Sequence, residues 1–475
     1  PISYPSNYIR DFVTPFWQAI LPIGKIGSDG WTGWWADPIL PFSTFDLPAR
    51  LTKAAWIEVA VPESAAAGIY TGSIQLSQNG KVLEDIPLEF QVYDFTLPVE
   101  SNVKATYVLR FNNREIFGRN FTDEEWKDEL WEYMAKHRIS SKMVEPQPEV
   151  SMVDGDPVLD FTEFDKAAAY YFDTLKISST WSPQFFYLFG WGRPPADKFG
   201  QKPYPGEYPY HDADHSKLRP EYIKVYQSAL RQYWDHLKEK GWADKAVIYI
   251  SDEPHADEHM NKQMYAVCDM INEFDPEIPI YVSTWWYRPE FEGYLDVWGV
   301  SHRGGGWGHP VPAEHLQEIR KNGGDIYFTT DGMQCTDSPY LGFERMLPYF
   351  CYKYEAKEYE FWAANWHTLD PYHYGWHRFH RQSPSAGVWY WMRYPNGDGN
   401  FIYPGAPIGA GPLVASVRLK QAREGVEDFE FLHLLEQLIK EAGMAGLAVG
   451  EAQHVMDEAM TLVNIPCADG RYTTQ

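Results

Sequence analysis

Much of what would mark a redox scaffold, a nucleic-acid binder or a membrane protein is missing from this sequence. Four cysteines in 475 residues (Cys268, Cys335, Cys351, Cys467) are too few for a disulfide framework, and none stands in a C-x-x-C pair. Spacing alone does not decide whether Cys335 and Cys351 pair. Basic residues are outnumbered: 41 Lys and Arg against 66 Asp and Glu give a formal net charge of −25. Such a chain offers no basic footprint to a phosphate backbone, so nucleic acid is not an expected partner. No apolar run approaches the roughly 18 residues that a spanning helix needs, which argues against membrane insertion. There is no P-loop and no G-x-S-x-G elbow, so phosphate-cradling and serine-hydrolase readings lack their motifs. What is present in excess is aromatic: 16% of residues, including 20 Trp and 32 Tyr. That content excludes a disordered chain. It is also more than a core alone usually takes, so many rings are expected along surfaces or clefts. The chain opens on Pro1 rather than Met. A processed signal peptide, and with it a secreted or periplasmic location, is the expectation.

The first hundred residues read as β structure. Trp56–Val61 is a short apolar strand stopped by Pro62, and the runs 69–77 and 81–93 flank Asn79-Gly80. Asn-Gly between alternating runs is the strongest short hairpin signal, because both turn residues need positive φ. Past Pro98 the rhythm changes. Eight β-branched or aromatic runs (106–110, 139–145, 184–189, 246–251, 278–283, 296–301, 325–330 and 358–365) alternate with amphipathic helical patterns at 123–137, 220–240, 257–274, 312–321 and 343–354. Eight alternations over about 260 residues predict an α/β fold of the (β/α)8 TIM-barrel type. The runner-up, a doubly wound sheet, would place a Gly-rich phosphate loop after its first strand, and none follows Thr106–Arg110. A further run at 387–393 and helices at about 415–442 and 450–463 complete the pattern. The expected organisation is an N-terminal β-sandwich (1–100), a barrel with a C-terminal appendage (101–442) and a helical tail (443–475).

The sharpest local signal is Asp252-Glu253-Pro254-His255, directly after the fourth strand. Barrel chemistry sits at the carboxyl ends of strands. Two carboxylates there can divide acid and base work, because close like charges push one pKa up. The bland alternative is helix capping: Pro254 suits a first helical position and acids favour the positive end of the dipole. Three metal-like patterns compete. His255-Ala256-Asp257-Glu258-His259 fits H-x-x-E-H, the signature of a zinc peptidase using His255, Glu258 and His259, but it lies in a first helical turn, where the dipole opposes a cation. His211-Asp212-Ala213-Asp214-His215 lies in a Pro- and Tyr-rich loop, and His367, His373, His377 and His380 crowd the loop after strand eight. A solvated loop and a pocket wall are the preferred readings, and no metal or other cofactor is expected. For a small-molecule ligand at the barrel mouth, rings and polar groups at the strand ends are the candidates: Trp285, His302, Asp331, Asn365 and Trp366, with Arg110 and Asn112 as weaker ones.

Ile248-Tyr249-Ile250-Ser251-Asp252-Glu253-Pro254 resembles the catalytic strand of glycoside hydrolase family 123, the β-N-acetylgalactosaminidases and their relatives. The resemblance continues at Phe361–Trp366, at Gly397–Gly405, and at Ser416–Leu419 with Arg423–Glu430. It implies a retaining exo-glycosidase acting on a glycan, with the sugar's own 2-acetamido group as nucleophile. On the matching positions, Glu253 would be the acid and then the base, and Asp252 would hold the acetamido N–H. A conventional retaining enzyme with Asp331 as nucleophile, the zinc peptidase, and a catalytically inactive glycan-binding protein remain as alternatives. One objection is geometric. Neighbours on a regular strand point to opposite faces, so Asp252 and Glu253 reach one pocket only if the strand has bent or ended by Asp252. Arg418 and Glu427, within the C-terminal motif, are expected to be structural ion-pair partners. Oligomeric state has no sequence signal here.

Overall fold

The structure, a computed structural model, describes residues 3–5, 34–41, 44–50, 52–118, 120–188, 198–205, 216–252, 254, 258–301, 313–330, 342–367, 371–374, 379–382, 389–392 and 399–464. Two compact units result, residues 43–99 and the rest.

The larger unit is built on eight parallel strands: Lys104–Tyr107, Ser140–Ser141, Thr180–Trp181, Ala246–Asp252, Ile280–Trp285, Val297–Ser301, Asp325–Thr330 and Glu358–Phe361. Strand eight pairs with strand one, so the ladder runs without interruption from strand two round to strand three. The last seam is bridged where Trp181 N–H donates to the Lys142 carbonyl at 2.7 Å. This is a (β/α)8 barrel. Its inward side chains, Trp181, Tyr187, Val247, Tyr249, Tyr281, Val297 and Tyr327, form one buried cluster. Five of these seven are aromatic, and many more rings are buried in the layer between strands and helices. Gly299 is required in this layer, since a Cβ there would lie 2.6 Å from the Ser283 Cα.

The helices follow their sequence signals. Asp123–Ala135 opens on a capping box between Thr122 and Glu125. Pro220–Lys240 starts on proline and stops at Gly241 with φ 74°. Helices at Glu258–Asn272, Ala313–Lys321 and Phe343–Tyr354 complete the outer layer. Past the barrel, Val417–Met444 packs on Phe343–Tyr354 so closely that a Cβ on Gly425 would sit 2.6 Å from the Arg345 carbonyl oxygen. Gly450–Ala459 follows. Among the described residues, no helix is long and apolar enough to cross a membrane. Cys268 and Cys351 are free and buried; Cys335 and Cys467 lie outside the described residues.

Two expectations need correction. The third strand is Thr180–Trp181, not 184–189. Gln184–Phe186 is a 3-10 turn, entered through Pro183 at φ −50°, ψ 145°. Its aromatic run misled because Phe186 packs outward against Tyr226 and Tyr233, at 5.3 and 5.6 Å between ring centroids. The real strand is only two residues long, and only Trp181 of the two is apolar. A hairpin of Glu149–Val153 and Asp156–Asp160, turning at Asp154-Gly155, also follows strand two; Asp-Gly between alternating runs is its sequence signal, which sequence reasoning missed.

In the smaller unit, Gly68–Gln78 and Lys81–Val92 form one long antiparallel hairpin. Asn79 and Gly80 turn at φ 52° and 77°, as their dipeptide predicts. Tyr70, Ile74, Ile86, Leu88 and Phe90 share one face by register, with Tyr70 stacked on Phe90 at 5.5 Å. Trp56–Val61 is not a strand; it runs as irregular, exposed chain.

Candidate active site

Strand four begins as a regular apolar strand. Val247 and Tyr249 face the barrel interior, while Ile248 and Ile250 pack against the helices. Strict alternation would carry Asp252 outward. The register with strand five prevents this: Tyr249 lies opposite Tyr281, but Ser251 lies opposite Val282 and Asp252 opposite Ser283. One extra residue on strand four is a β-bulge, and it reverses the phase of the last residues. Asp252 therefore shares the inward face of Tyr281 and Ser283. The electrostatics agree, since its charge acts on Lys142, Tyr249, Tyr281 and Glu360. Leu188 N–H donates to the carbonyl of Ile250 at 3.1 Å and pins the bulge from the loop after strand three. For Asp252, this removes the objection from strand geometry. Glu253 lies outside the described residues.

Two further ionisable groups face the same space. Lys142 directly follows strand two; its ammonium lies 5.4 Å from the Trp181 ring centroid and 5.5 Å from that of Tyr249. Burial pulls it below the usual lysine range, against the opposing charges of Asp252, Glu360 and Glu145. Glu360, buried on strand eight, accepts a bond from the Tyr281 hydroxyl at 3.4 Å. Burial pushes its carboxyl up to about 8; the charges of Asp252 and Glu358 add to this and a hydrogen bond from Thr329 opposes it. Glu360 is therefore mostly protonated at neutral pH. Glu358, two residues earlier, accepts from Ser179 Oγ at 2.7 Å, and burial raises it as well, while Lys104 opposes.

The other side of the mouth is built by strands one and eight. Asn365 is fully buried; its amide oxygen accepts from Arg110 N–H at 2.7 Å and its amide nitrogen donates to the Arg110 carbonyl at 2.9 Å. Both ends of that amide are thus used to join the two strand ends. Arg110, so held, places its guanidinium 5.0 Å from the half-buried Trp366 ring and donates from Nε to Asn112 Oδ1 at 2.6 Å. Trp362 lies 5.4 Å from Trp366 between centroids. Arg110, Asn112, Asn365 and Trp366 are therefore one assembly. Trp285 ends strand five beyond a second bulge, opposite Val300; its side chain, like His302 and Asp331, lies outside the described residues.

Of the histidine cluster, His367 is buried between Phe117 and Tyr403, with Nε2 2.9 Å from the Ile402 carbonyl oxygen. The side chains of His373, His377 and His380 lie outside the described residues, as do His211–His215 and the side chains of His255, Glu258 and His259. Among the described residues, no three His, Cys, Asp or Glu gather as a metal would need.

The C-terminal motif is scaffold. Arg418 forms a fully buried ion pair with Asp37, Nε to Oδ1 at 2.9 Å and Nη2 to Oδ2 at 2.8 Å. Glu427 meets Arg138 at 3.4 Å, Asp428 takes two bonds from Arg345 at 2.6 and 3.0 Å, and Glu430 takes two from Asn102 at 2.6 Å each. Each acid ties this helix to a different barrel element. Sequence reasoning missed Lys142 and Glu360. The second had a signal: Glu358 and Glu360 alternate with aromatics on a buried strand, which places two acids on its inward face.

The family model of the glycoside hydrolase 123 catalytic domain matches residues 121–435, and that of the glycoside hydrolase 123 N-terminal domain matches residues 29–78. Among solved structures, a family 123 glycoside hydrolase from Clostridium perfringens, studied for glycolipid glycan hydrolysis, aligns with a TM-score of 0.54 at 16% identity, covering 87% of this chain and 72% of that one. A family 39 glycoside hydrolase from Bacteroides cellulosilyticus aligns at 0.37 and 9% identity, covering 76% of this chain and 70% of its own. A Bacteroidetes-affiliated family 5 cellulase aligns at 0.39 and 10%, covering 69% and 92%. The first likeness supports the fold; the other two are too distant to bear on it. Comparison with curated proteins finds no match.

Proposed function

The chain belongs to glycoside hydrolase family 123, and we propose that it is a retaining exo-glycosidase that removes terminal β-linked N-acetylgalactosamine by substrate-assisted catalysis. The 2-acetamido oxygen attacks the anomeric carbon while Glu253 protonates the departing glycosidic oxygen. A cyclic oxazolinium forms. Glu253, now a carboxylate, takes a proton from water as that water opens the ring, which returns the β configuration. Asp252, ionised, accepts the acetamido N–H and offsets the positive charge of the intermediate.

The observation that carries this reading is the bulge that turns Asp252 into the barrel beside Tyr281 and Ser283. An outward Asp252 would have no access to a sugar at the mouth. Glu253's role rests on the family motif and on adjacency. Ring and hydroxyl contacts are assigned to Trp366, Trp285, His302 and Asp331. Asn365, its amide taken up by Arg110, serves by holding Arg110 and Trp366 in place. Glycolipid glycans, the substrate class of the clostridial relative, are a fitting source of the terminal sugar.

The test compares aryl β-glycosides of N-acetylgalactosamine and of galactose. Loss of the internal nucleophile is expected to lower kcat/KM by roughly 10³-fold or more, the scale of a well-oriented intramolecular attack. Equal rates on the two substrates would sink the acetamido mechanism.

A further inference from the structure

We propose that Lys142 is the positioning residue that keeps Asp252 ionised, its ammonium held inside the barrel mouth over the rings of Trp181 and Tyr249. The inference rests on the role given to Asp252 above.

The location is fixed by the backbone. Lys142's carbonyl takes the hydrogen bond from Trp181 that bridges strands two and three. Its side chain then lies across two rings whose centroids are 4.5 Å apart, each within the roughly 6 Å at which a cation is attracted to a ring face. A surface lysine would stretch into water; this one stays over an aromatic floor that belongs to the barrel interior. Tyr249, half of that floor, stands three residues before Asp252, and the bulge brings both to the same face.

The groups that face Lys142 are mostly acids. Strand four brings Asp252, strand eight brings Glu360 with Glu358 deeper, and its own loop brings Glu145, which accepts a bond from Gln147 at 2.9 Å. Tyr249 and Tyr281 are neutral phenols raised by burial. Acids gathered in a space of low dielectric take up protons. A protonated Asp252 would neither accept the acetamido N–H as a charged partner nor offset a cationic intermediate. The ammonium separates the acids into two roles: Asp252, whose charge acts on it, stays charged, while Glu360 keeps its proton. Lys142 itself touches neither substrate nor reacting atoms in this scheme.

The experiment is the pH profile of kcat/KM on an aryl β-N-acetylgalactosaminide for wild type, Lys142→Met and Lys142→Arg. Lys142→Met is expected to move the acid limb up by about one pH unit, a roughly fivefold loss at the wild-type midpoint that approaches about tenfold well below it, and to leave the basic limb in place. Lys142→Arg is expected to keep the acid limb near its wild-type position. Lys142→Gln reads out the same shift if the Met variant does not fold. An unmoved acid limb, or a loss that is uniform across pH and equal in the Arg variant, overturns the assignment. The two failures separate. Wild type that cleaves the galactoside equally well overturns the substrate reading, whereas selective wild type with an unmoved acid limb in Lys142→Met overturns Lys142 alone.

Discussion

Two groups of charges are withdrawn from water in this barrel, and they are treated in opposite ways. Beside the end of strand eight, Arg418 and Asp37 are both fully buried and fully engaged: the carboxylate takes two guanidinium bonds and one from Tyr403 OH at 2.5 Å, and the guanidinium also reaches the Asn400 carbonyl and the Phe401 ring. Along the barrel, from the amino ends of its strands to its mouth, Asp252, Glu358, Glu360 and Glu145 outnumber Lys142 and Lys104, and burial displaces several of their protonation equilibria. A balanced pair holds elements together. An unbalanced set stores electrostatic free energy, and such sets cluster where chemistry is done.

The largest effect should come from unbalancing the balanced pair. Arg418→Met strands the Asp37 carboxylate in the interior, and removing one partner of a buried pair typically costs about 3–5 kcal/mol. The loss should appear as a lower midpoint in denaturant unfolding. It should be far larger than any change in the acid limb of kcat/KM. A cost below about 1 kcal/mol would mean that the pair is not the fastener described here.

The converse experiment relieves the unbalanced set. Glu360 has an ordinary value of 4.5 and a folded value of about 8. Between these, the folded chain keeps a proton that the unfolded chain has released, so this group makes stability fall as pH rises from about 4.5 to about 8. Glu360→Gln cannot ionise. Its stability relative to wild type should therefore increase across that window, by on the order of 1–3 kcal/mol at pH 8 compared with pH 5. Parallel curves for the two proteins would show that Glu360 is not desolvated as drawn. Glu344, also raised to about 8 by burial, contributes in the same direction and is unchanged in both.

These two clusters were not equally legible in the sequence. Arg418 and Glu427 carry charges inside a long helical pattern, and a structural pairing is the default for such charges. The helices Pro220–Lys240 and Phe343–Tyr354 could be read to the residue, the first because its period, first-turn proline and Gly241 stop agree, the second on its period alone, since Pro348 lies inside it and Glu355 closes it. Strand three could not, since Thr180–Trp181 is too short for periodicity and the neighbouring Phe run belongs to the outer layer. The inward turn of Asp252 was illegible for a different reason. A bulge is a one-residue change of register set by the partner strand and by Leu188 N–H, and nothing local to Ile250-Ser251-Asp252 encodes it. Lys142 was illegible because its role comes from Trp181 and Tyr249, 39 and 107 residues away in sequence.

The smallest effect tests whether burial, rather than membership of one motif, decides what a charge is worth. Glu427 neighbours Asp428 and is three residues from Glu430. Yet it meets Arg138 at a single 3.4 Å contact, with a third of its side chain exposed. Water screens such a pair, and its two long side chains lose freedom to form it, so the net gain is small. Glu427→Gln should cost less than about 1 kcal/mol, and that loss should shrink further in salt, because an exposed pair is screened. If it instead cost as much as Arg418→Met, the motif would act as one cooperative network. Depth would then not be the variable that separates the fastening charges from the reactive ones.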